Sequence, residues 1–183
     1  MIGDVTVISG PTAVGKGTVV AELRRRHPQV WVSVSATTRR PRPAEVEGEH
    51  YLFLDDAAFD QLIASDGLLE WATVHGSARY GTPAAPVRAA VAAGKHVILE
   101  IDLQGARQVF EHLDGVRSVF IAPPDRDALR QRLVGRGTET PEQMERRLVT
   151  AEQELAAAGE FEHVIVNDDL GSTVGRLVDL LGL

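Results

Sequence analysis

The feature that most constrains this chain is the run Gly10-Pro11-Thr12-Ala13-Val14-Gly15-Lys16-Gly17-Thr18. It sits between an apolar, β-branched stretch at 5–9 and a helical pattern over about 17–27. Strand, glycine-rich turn and helix in that order make successive backbone N–H groups converge on one point, at the positive end of a helix. Glycine is required where the backbone turns sharply and lets a ligand approach closely. Lys16 adds a point charge, so the segment predicts a cradle for phosphate oxygens, with a ligand-free strand–helix turn as the bland alternative. The position after the lysine usually holds a Ser or Thr that ligates magnesium. Here it is Gly17, and the hydroxyl comes one residue later at Thr18. Magnesium keeps several waters and is held largely by phosphates, so losing one hydroxyl need not abolish its binding.

The rest of the chain is built around that unit. Apolar runs at 31–35, 97–101, 118–122 and 164–166 read as further strands, and the patterns over 103–112, 125–136 and 172–181 as helices. Continuous apolar strands alternating with helices predict an α/β fold, a parallel sheet covered by helices on both faces. Residues 35–90 interrupt the rhythm. Short strands at 51–54 and 69–74 and a helix at 56–64 read as an insertion that carries a ligand site. A second interruption spans 135–141, with Pro141 placed to open the next helix at its first turn. Its flanking arginines suggest a small lid over about 128–154, against a plain helix–helix connection. All 183 residues then form one domain, with a core of about 1–34, 91–127 and 155–183.

Composition narrows the partners. A formal net charge of -7 lowers the expectation of a nucleic-acid surface. No apolar run approaches the roughly 20 residues needed to cross a bilayer, and the start of the chain does not read as a signal peptide. The absence of cysteine excludes disulfides and thiolate metal sites, and fits a reducing cytoplasm. Lys16 and Lys95 are the only lysines; the remaining cations are arginines. Arginine suits bidentate phosphate recognition, though a genome-wide composition bias would produce the same excess.

A second signal is Ser33-Val34-Ser35-Ala36-Thr37-Thr38-Arg39-Arg40-Pro41-Arg42-Pro43, followed by Glu45-Val46-Glu47-Gly48-Glu49-His50-Tyr51. Arg39 and Arg42 are two guanidinium forks on a proline-stiffened backbone. They can clamp a dianionic phosphate through charge-assisted bonds worth about 1.5–3 kcal/mol each. The hydroxyls of Ser35, Tyr51 and Tyr80 can add neutral donors. The alternative is a solvated basic turn.

These two segments resemble the guanylate kinase family. The matches continue in order through Leu69-Glu70-Trp71-Ala72, Tyr80-Gly81-Thr82, Ile101-Asp102-Leu103-Gln104-Gly105, Gly135-Arg136-Gly137-Thr138-Glu139-Thr140 and Val166-Asn167-Asp168-Asp169-Leu170. The resemblance covers essentially the whole chain; Ala44, in place of a glycine, is a mild departure. It implies a P-loop nucleoside-monophosphate kinase that moves the γ-phosphoryl of ATP to GMP in purine nucleotide metabolism, with Mg²⁺ accompanying ATP. Adenylate kinases also carry Gly-Lys-Gly-Thr, so the loop variant has a parallel among such enzymes.

By the same resemblance, residues Gly10 to Thr18 hold the ATP phosphates, while Asn167 and Asp168 lie near the adenine. Ser35, Arg39, Arg42, Tyr51, Glu70, Tyr80, Thr82, Glu100 and Asp102 line the GMP site. Lys16, Arg42, Arg136 and Arg147, with Arg132 in support, act on the transferring group. Glu70 has a chemical rationale: a carboxylate accepts from both N1–H and the 2-amino group of guanine, whereas adenine offers it a lone pair. Ser35 and Thr82 hydroxyls can recognise the guanine O6. Asp102 reads equally as a neighbour of metal-bound water or as the cap of the following helix, and Asn167 as an adenine contact or a turn residue. Deoxy-GMP stays open as an acceptor, and the oligomeric state is not legible. The rival readings are a kinase of another phosphorylated acceptor, a non-catalytic module that binds phosphopeptides, and a nucleotide-binding regulator.

Overall fold

The computed structural model describes residues 4–74, 78–134 and 141–183, without the side chains of residues 134, 141–144, 146 and 147. In chain order the elements are β1 (Val5–Ser9), α1 (Lys16–Arg26), β2 (Val30–Val32), β3 (Ala36–Thr37), β4 (Leu52–Phe53), α2 (Asp56–Ala64), β5 (Leu68–Val74) and β6 (Ala78–Pro83). They continue with α3 (Ala84–Ala92), β7 (His96–Glu100), α4 (Leu103–His112), β8 (Arg117–Ala122), α5 (Arg126–Val134), α6 (Pro141–Ala156), a 3-10 turn (Ala157–Glu160), β9 (His163–Val166) and α7 (Leu170–Leu181).

Five strands form an all-parallel sheet in the order β2-β7-β1-β8-β9. The apolar runs are continuous because both faces are covered. Ile8, Ile98, Val119, Ile121 and Ile165 pack with Val19 and Leu23 of α1 and Val174 and Leu177 of α7. Val7, Val97, Leu99 and Phe120 point the other way, into a layer with Val87 of α3 and Val109 of α4. Aspartates cap α2, α4 and α7: Asp55 accepts from Ala58 N–H, Asp102 from Gly105 N–H and Asp169 from Ser172 N–H, each at 2.8 Å.

The strand expected over 31–35 is shorter. β2 ends at Val32, Ser33 N–H donates a last bond to Ile98, and Leu52 N–H then donates to the Ser35 carbonyl. Residues 33–35 therefore lead out of the parallel sheet and into a second one, of order β4-β3-β6-β5. The sequence pattern marks neither β6 of this sheet nor α3, which packs on the parallel sheet. The stretch Ala-Arg-Tyr-Gly-Thr-Pro has no apolar alternation, and it is a strand because β5 pairs with it antiparallel. Gly81 permits that pairing, since a Cβ there would fall 2.8 Å from the Glu70 carbonyl oxygen. α6 begins at Pro141. The α5–α6 pair buries Leu129, Leu133 and Ala151, and Ala13 of the glycine-rich loop packs against that cluster.

Candidate functional site

β1 lies inside the parallel sheet, with sequence-later strands on either side of it. Ligands of open α/β sheets collect at the carboxyl ends of the strands near such a point, where the connections diverge. The glycine-rich loop leaves β1 there. Gly10 has φ 145° and its missing Cβ would fall 2.2 Å from the Ile121 carbonyl oxygen of β8, so only glycine fits. Ala13 (φ 65°) and Gly15 (φ 100°) take left-handed backbone, which turns the loop's amides inward before α1 begins at Lys16. Val14 anchors the loop by burying its side chain completely in the core.

The loop is braced from behind. The Val14 carbonyl accepts from Asn167 Nδ2 at 2.8 Å and from Arg132 Nη1 at 3.0 Å, and Arg132 Nη2 donates to the Asn167 carbonyl at 3.3 Å. Thr173 Oγ1 donates to Asn167 Oδ1 at 3.1 Å. On the open side, Lys16 Nζ donates to the carbonyls of Gly10 (2.5 Å) and Pro11 (3.2 Å). Glu154 of α6 accepts from Thr12 N–H at 3.1 Å. Burial pushes the Glu154 carboxyl upward and Lys16 opposes the shift. Glu100, at the end of β7, faces the loop: a Cβ on Gly17 would lie 3.5 Å from its Oε1. Burial raises the Glu100 carboxyl as well, again against Lys16.

Across the cleft stands a second cradle. Arg39 donates from Nη1 and Nη2 to the Glu45 carboxylate at 2.9 and 2.8 Å, and from Nε to the Tyr80 hydroxyl at 3.0 Å. Its guanidinium lies 5.3 Å from the Tyr51 ring centre. Glu45 also accepts from Arg42 N–H at 2.7 Å, and Arg39 holds its carboxyl below the usual range. Glu45 thus fixes both the Arg39 guanidinium and the backbone at Arg42. Nearby, Glu70 of β5 is only 5% exposed, and its Oε1 accepts from Thr82 Oγ1 of β6 at 2.6 Å. Burial, reinforced by Asp102 and opposed by the Thr82 hydrogen bonds, pushes its carboxyl up to about 7.

One cleft of about 790 Å³ joins the two cradles, within the usual range for small-molecule sites. Of the residues singled out from sequence, Pro11, Thr12, Ala13, Gly15, Lys16, Gly17 and Thr18 line its loop end. Ser35, Arg39, Arg42, Tyr51, Glu70, Tyr80, Glu100 and Asp102 line the remainder. Gly10, Val14, Thr82, Arg132 and Asn167 act from behind that wall through the contacts above. Thr82 is wholly buried, with its hydroxyl proton directed to Glu70 rather than into the cleft. The amide of Asn167 is engaged by Val14 and Thr173, and Asp168 is exposed next to the α7 cap. Asp102 caps α4, which is one of its two readings, and it also lines the cleft. Arg136 lies outside the described residues, as does the side chain of Arg147 on α6. Sequence reasoning did not single out Glu45 and Glu154. Glu45 sits three residues from Arg42, a turn spacing that could have flagged it. Glu154 looks like any polar residue on a helix until α6 is packed.

Comparison with known proteins places this geometry. A family model described as guanylate kinase matches residues 3–182. The guanylate kinase of Cutibacterium acnes is 58% identical over 179 residues, covering 98% of this chain and 90% of that protein. That of Streptomyces coelicolor is 55% identical over 175 residues, covering 96% and 88%. Among solved structures, guanylate kinase from Anaplasma phagocytophilum superposes with a TM-score of 0.82 at 32% identity, over 99% of this chain and 85% of that one. Shikimate kinase from Bacteroides thetaiotaomicron, at 14% identity and a TM-score of 0.52, shares the fold alone.

Proposed function

Since the chain belongs to the guanylate kinase family, we propose that it is an ATP:GMP phosphotransferase of purine nucleotide metabolism. The observation that carries this reading is the pair of anion cradles across one cleft, with a buried carboxylate beside the acceptor cradle. An oxygen of the GMP phosphate attacks the γ-phosphorus of ATP. The bond to the β–γ bridging oxygen breaks, ADP leaves with the electron pair, and GDP forms. The acceptor phosphate is already ionised near neutral pH, so no general base is needed.

The protein's work is positioning and charge neutralisation. Lys16 exchanges the Gly10 and Pro11 carbonyls for phosphate oxygens, and the loop amides from 13 onward surround them. Arg39 and Arg42, with Ser35, Tyr51 and Tyr80, hold the GMP phosphate, with Glu45 fixing the Arg39 fork from the side. Ionised Glu70 accepts from guanine N1–H and the 2-amino group, and Thr82 orients it. A site built on such bonds discriminates between bases by about 10⁴–10⁵-fold. Arg136 and Arg147 close over the transferring group from the 128–154 segment, while Arg132 and Asn167 stiffen the phosphate loop and Asn167 and Asp168 border the adenine. Of the 35–90 insertion, residues 35–83 form the acceptor unit of the single domain, while α3 packs on the parallel sheet.

Mg²⁺ fits this donor set as an ion held by phosphates and water. Among the described residues no cluster of three or more His, Cys, Asp or Glu could hold a metal directly, yet Glu100 and Asp102 offer hard oxygens to coordinated water next to Gly17. When bound, the ion neutralises the β- and γ-phosphates. No helix among the described residues is long and apolar enough to cross a membrane. With an acidic net charge and no cysteine, we place the enzyme in the cytoplasm with ATP and GMP as its partners and no nucleic acid. A coupled ADP-release assay with GMP, AMP, CMP and UMP tests the assignment. Turnover confined to GMP supports it, and a folded protein that binds ATP but moves no phosphate to GMP defeats it.

A further inference from the structure

Helix α4 carries two residues that the reaction above does not use and that both bear on Glu70. Gly105 lies in its first turn, with its N–H bonded to Asp102. A Cβ there would fall 2.3 Å from Glu70 Oε2 and 2.8 Å from Glu70 Cδ, far inside the 3.4 Å at which ordinary contact begins. The helical backbone at this point does not need glycine, and alanine is the better helix former. What the missing side chain provides is room for a carboxylate.

One turn further along α4, Gln108 reaches the same strand. Its Nε2 donates to the Trp71 carbonyl at 2.7 Å, and its Oε1 accepts from Trp71 N–H at 3.1 Å. β5 is an outer strand of its sheet, so the outward-facing amide and carbonyl of Trp71 have no strand beside them. The Gln108 amide supplies the donor and the acceptor that a neighbouring strand would. Glu70 is therefore held on three sides: Thr82 at one carboxylate oxygen, the α4 backbone at the other, and Gln108 through the adjoining peptide.

We propose that Gly105 and Gln108 are positioning residues for base selection, acting through Glu70. This rests on the reading of Glu70 as the guanine acceptor. Alanine at 105 drives the Glu70 carboxylate away from α4 by about 1 Å, beyond the roughly 0.5 Å tolerance of a preorganised site. A displacement of that size costs on the order of 10²-fold. Leucine at 108 removes both bonds and leaves a similar volume, which loosens β5 less directly.

The test is steady-state kinetics on the full chain with ATP and either GMP, IMP (which lacks the 2-amino group) or AMP. The proteins are the unmodified enzyme, Gly105→Ala, Gln108→Leu, Glu70→Ala and the Gly105→Ala/Glu70→Ala double variant, each checked by thermal melting. Gly105→Ala is expected to raise the GMP KM about 10²-fold and to lower the GMP-over-IMP preference. The ATP KM stays unchanged and kcat changes much less. Gln108→Leu shifts the same quantities in the same direction, about tenfold, and stands alone if the glycine variant does not fold. In the Glu70→Ala background the Gly105 substitution should have no further effect. The proposal falls if Gly105→Ala and Gln108→Leu leave the GMP-over-IMP preference intact while Glu70→Ala abolishes it. It also falls if Gly105→Ala is equally harmful without Glu70, since the effect then comes from the helix itself. A Glu70→Ala enzyme that keeps its guanine preference is a different result: it defeats the base-reading role of Glu70, and this proposal with it.

Discussion

Lowering the pH from 8 to 6 should weaken GMP binding through Glu70. In the free enzyme this carboxyl is pushed up to about 7, chiefly by burial, whereas its ordinary value is 4.5. Guanine presents two donors to it, so only the ionised form binds well. The competent fraction is about 0.9 at pH 8 and about 0.1 at pH 6, and the apparent dissociation constant scales inversely with that fraction. GMP affinity therefore drops about tenfold over this range, with roughly a further factor of two from the second ionisation of the GMP phosphate near pH 6. Titration calorimetry in two buffers of different ionisation enthalpy reads both the affinity and the proton released at pH 7. Glu70→Gln should retain only the smaller, phosphate-derived dependence.

The same shift has a stability consequence of the opposite sense. The folded state holds this proton more tightly than the unfolded state. Its contribution is therefore most favourable below pH 4.5, declines as pH rises through 4.5 to about 7, and is level above. That decline amounts to about 3 kcal/mol, so Glu70→Gln should melt higher than the unmodified protein at pH 8. A GMP affinity that varies no more than twofold between pH 6 and 8, or an equal slope in the Gln variant, would refute the reasoning.

Removing the Glu45 carboxylate (Glu45→Ala) leaves Arg39 without its bidentate partner and Arg42 without its backbone bond, and should raise the GMP KM about tenfold with the ATP KM unchanged. Glu154→Gln keeps an acceptor for Thr12 N–H but removes a negative charge next to the triphosphate, so the ATP KM should fall severalfold; a rise would mean that the charge assists the loop. Gly10→Ala combines a φ of 145° with a 2.2 Å approach to the Ile121 carbonyl oxygen. Calorimetry should show a loss of about 3 kcal/mol or more together with loss of ATP binding.

Much of the molecule was legible because its signals are local. Residues 5–26 supply strand, loop and helix contiguously, and each residue type answers to its neighbours. The helices at 56–64 and 103–112 were readable to the residue for the same reason. Where the chain left one sheet for another, at 33–35, the pattern misled: β2 ends where its pairing with β7 stops, at Val32 opposite Ile98, although β7 runs on to Glu100. β6 was invisible because pairing with β5, and not its own composition, makes it a strand.

From the sequence alone follow the α/β architecture, the glycine-rich loop and the Arg39–Arg42 pair, since these depend on residue type and short spacing. Only the folded chain decides that Glu45 fixes the Arg39 fork, that Thr82 serves Glu70, and that Glu154 reaches Thr12 across 142 positions. It also decides that a glycine on α4 makes room for the carboxylate on β5. The reason is physical. Burial, proton affinity and steric room are properties of a place in space, and each such place is assembled from segments whose meeting no short stretch of sequence encodes.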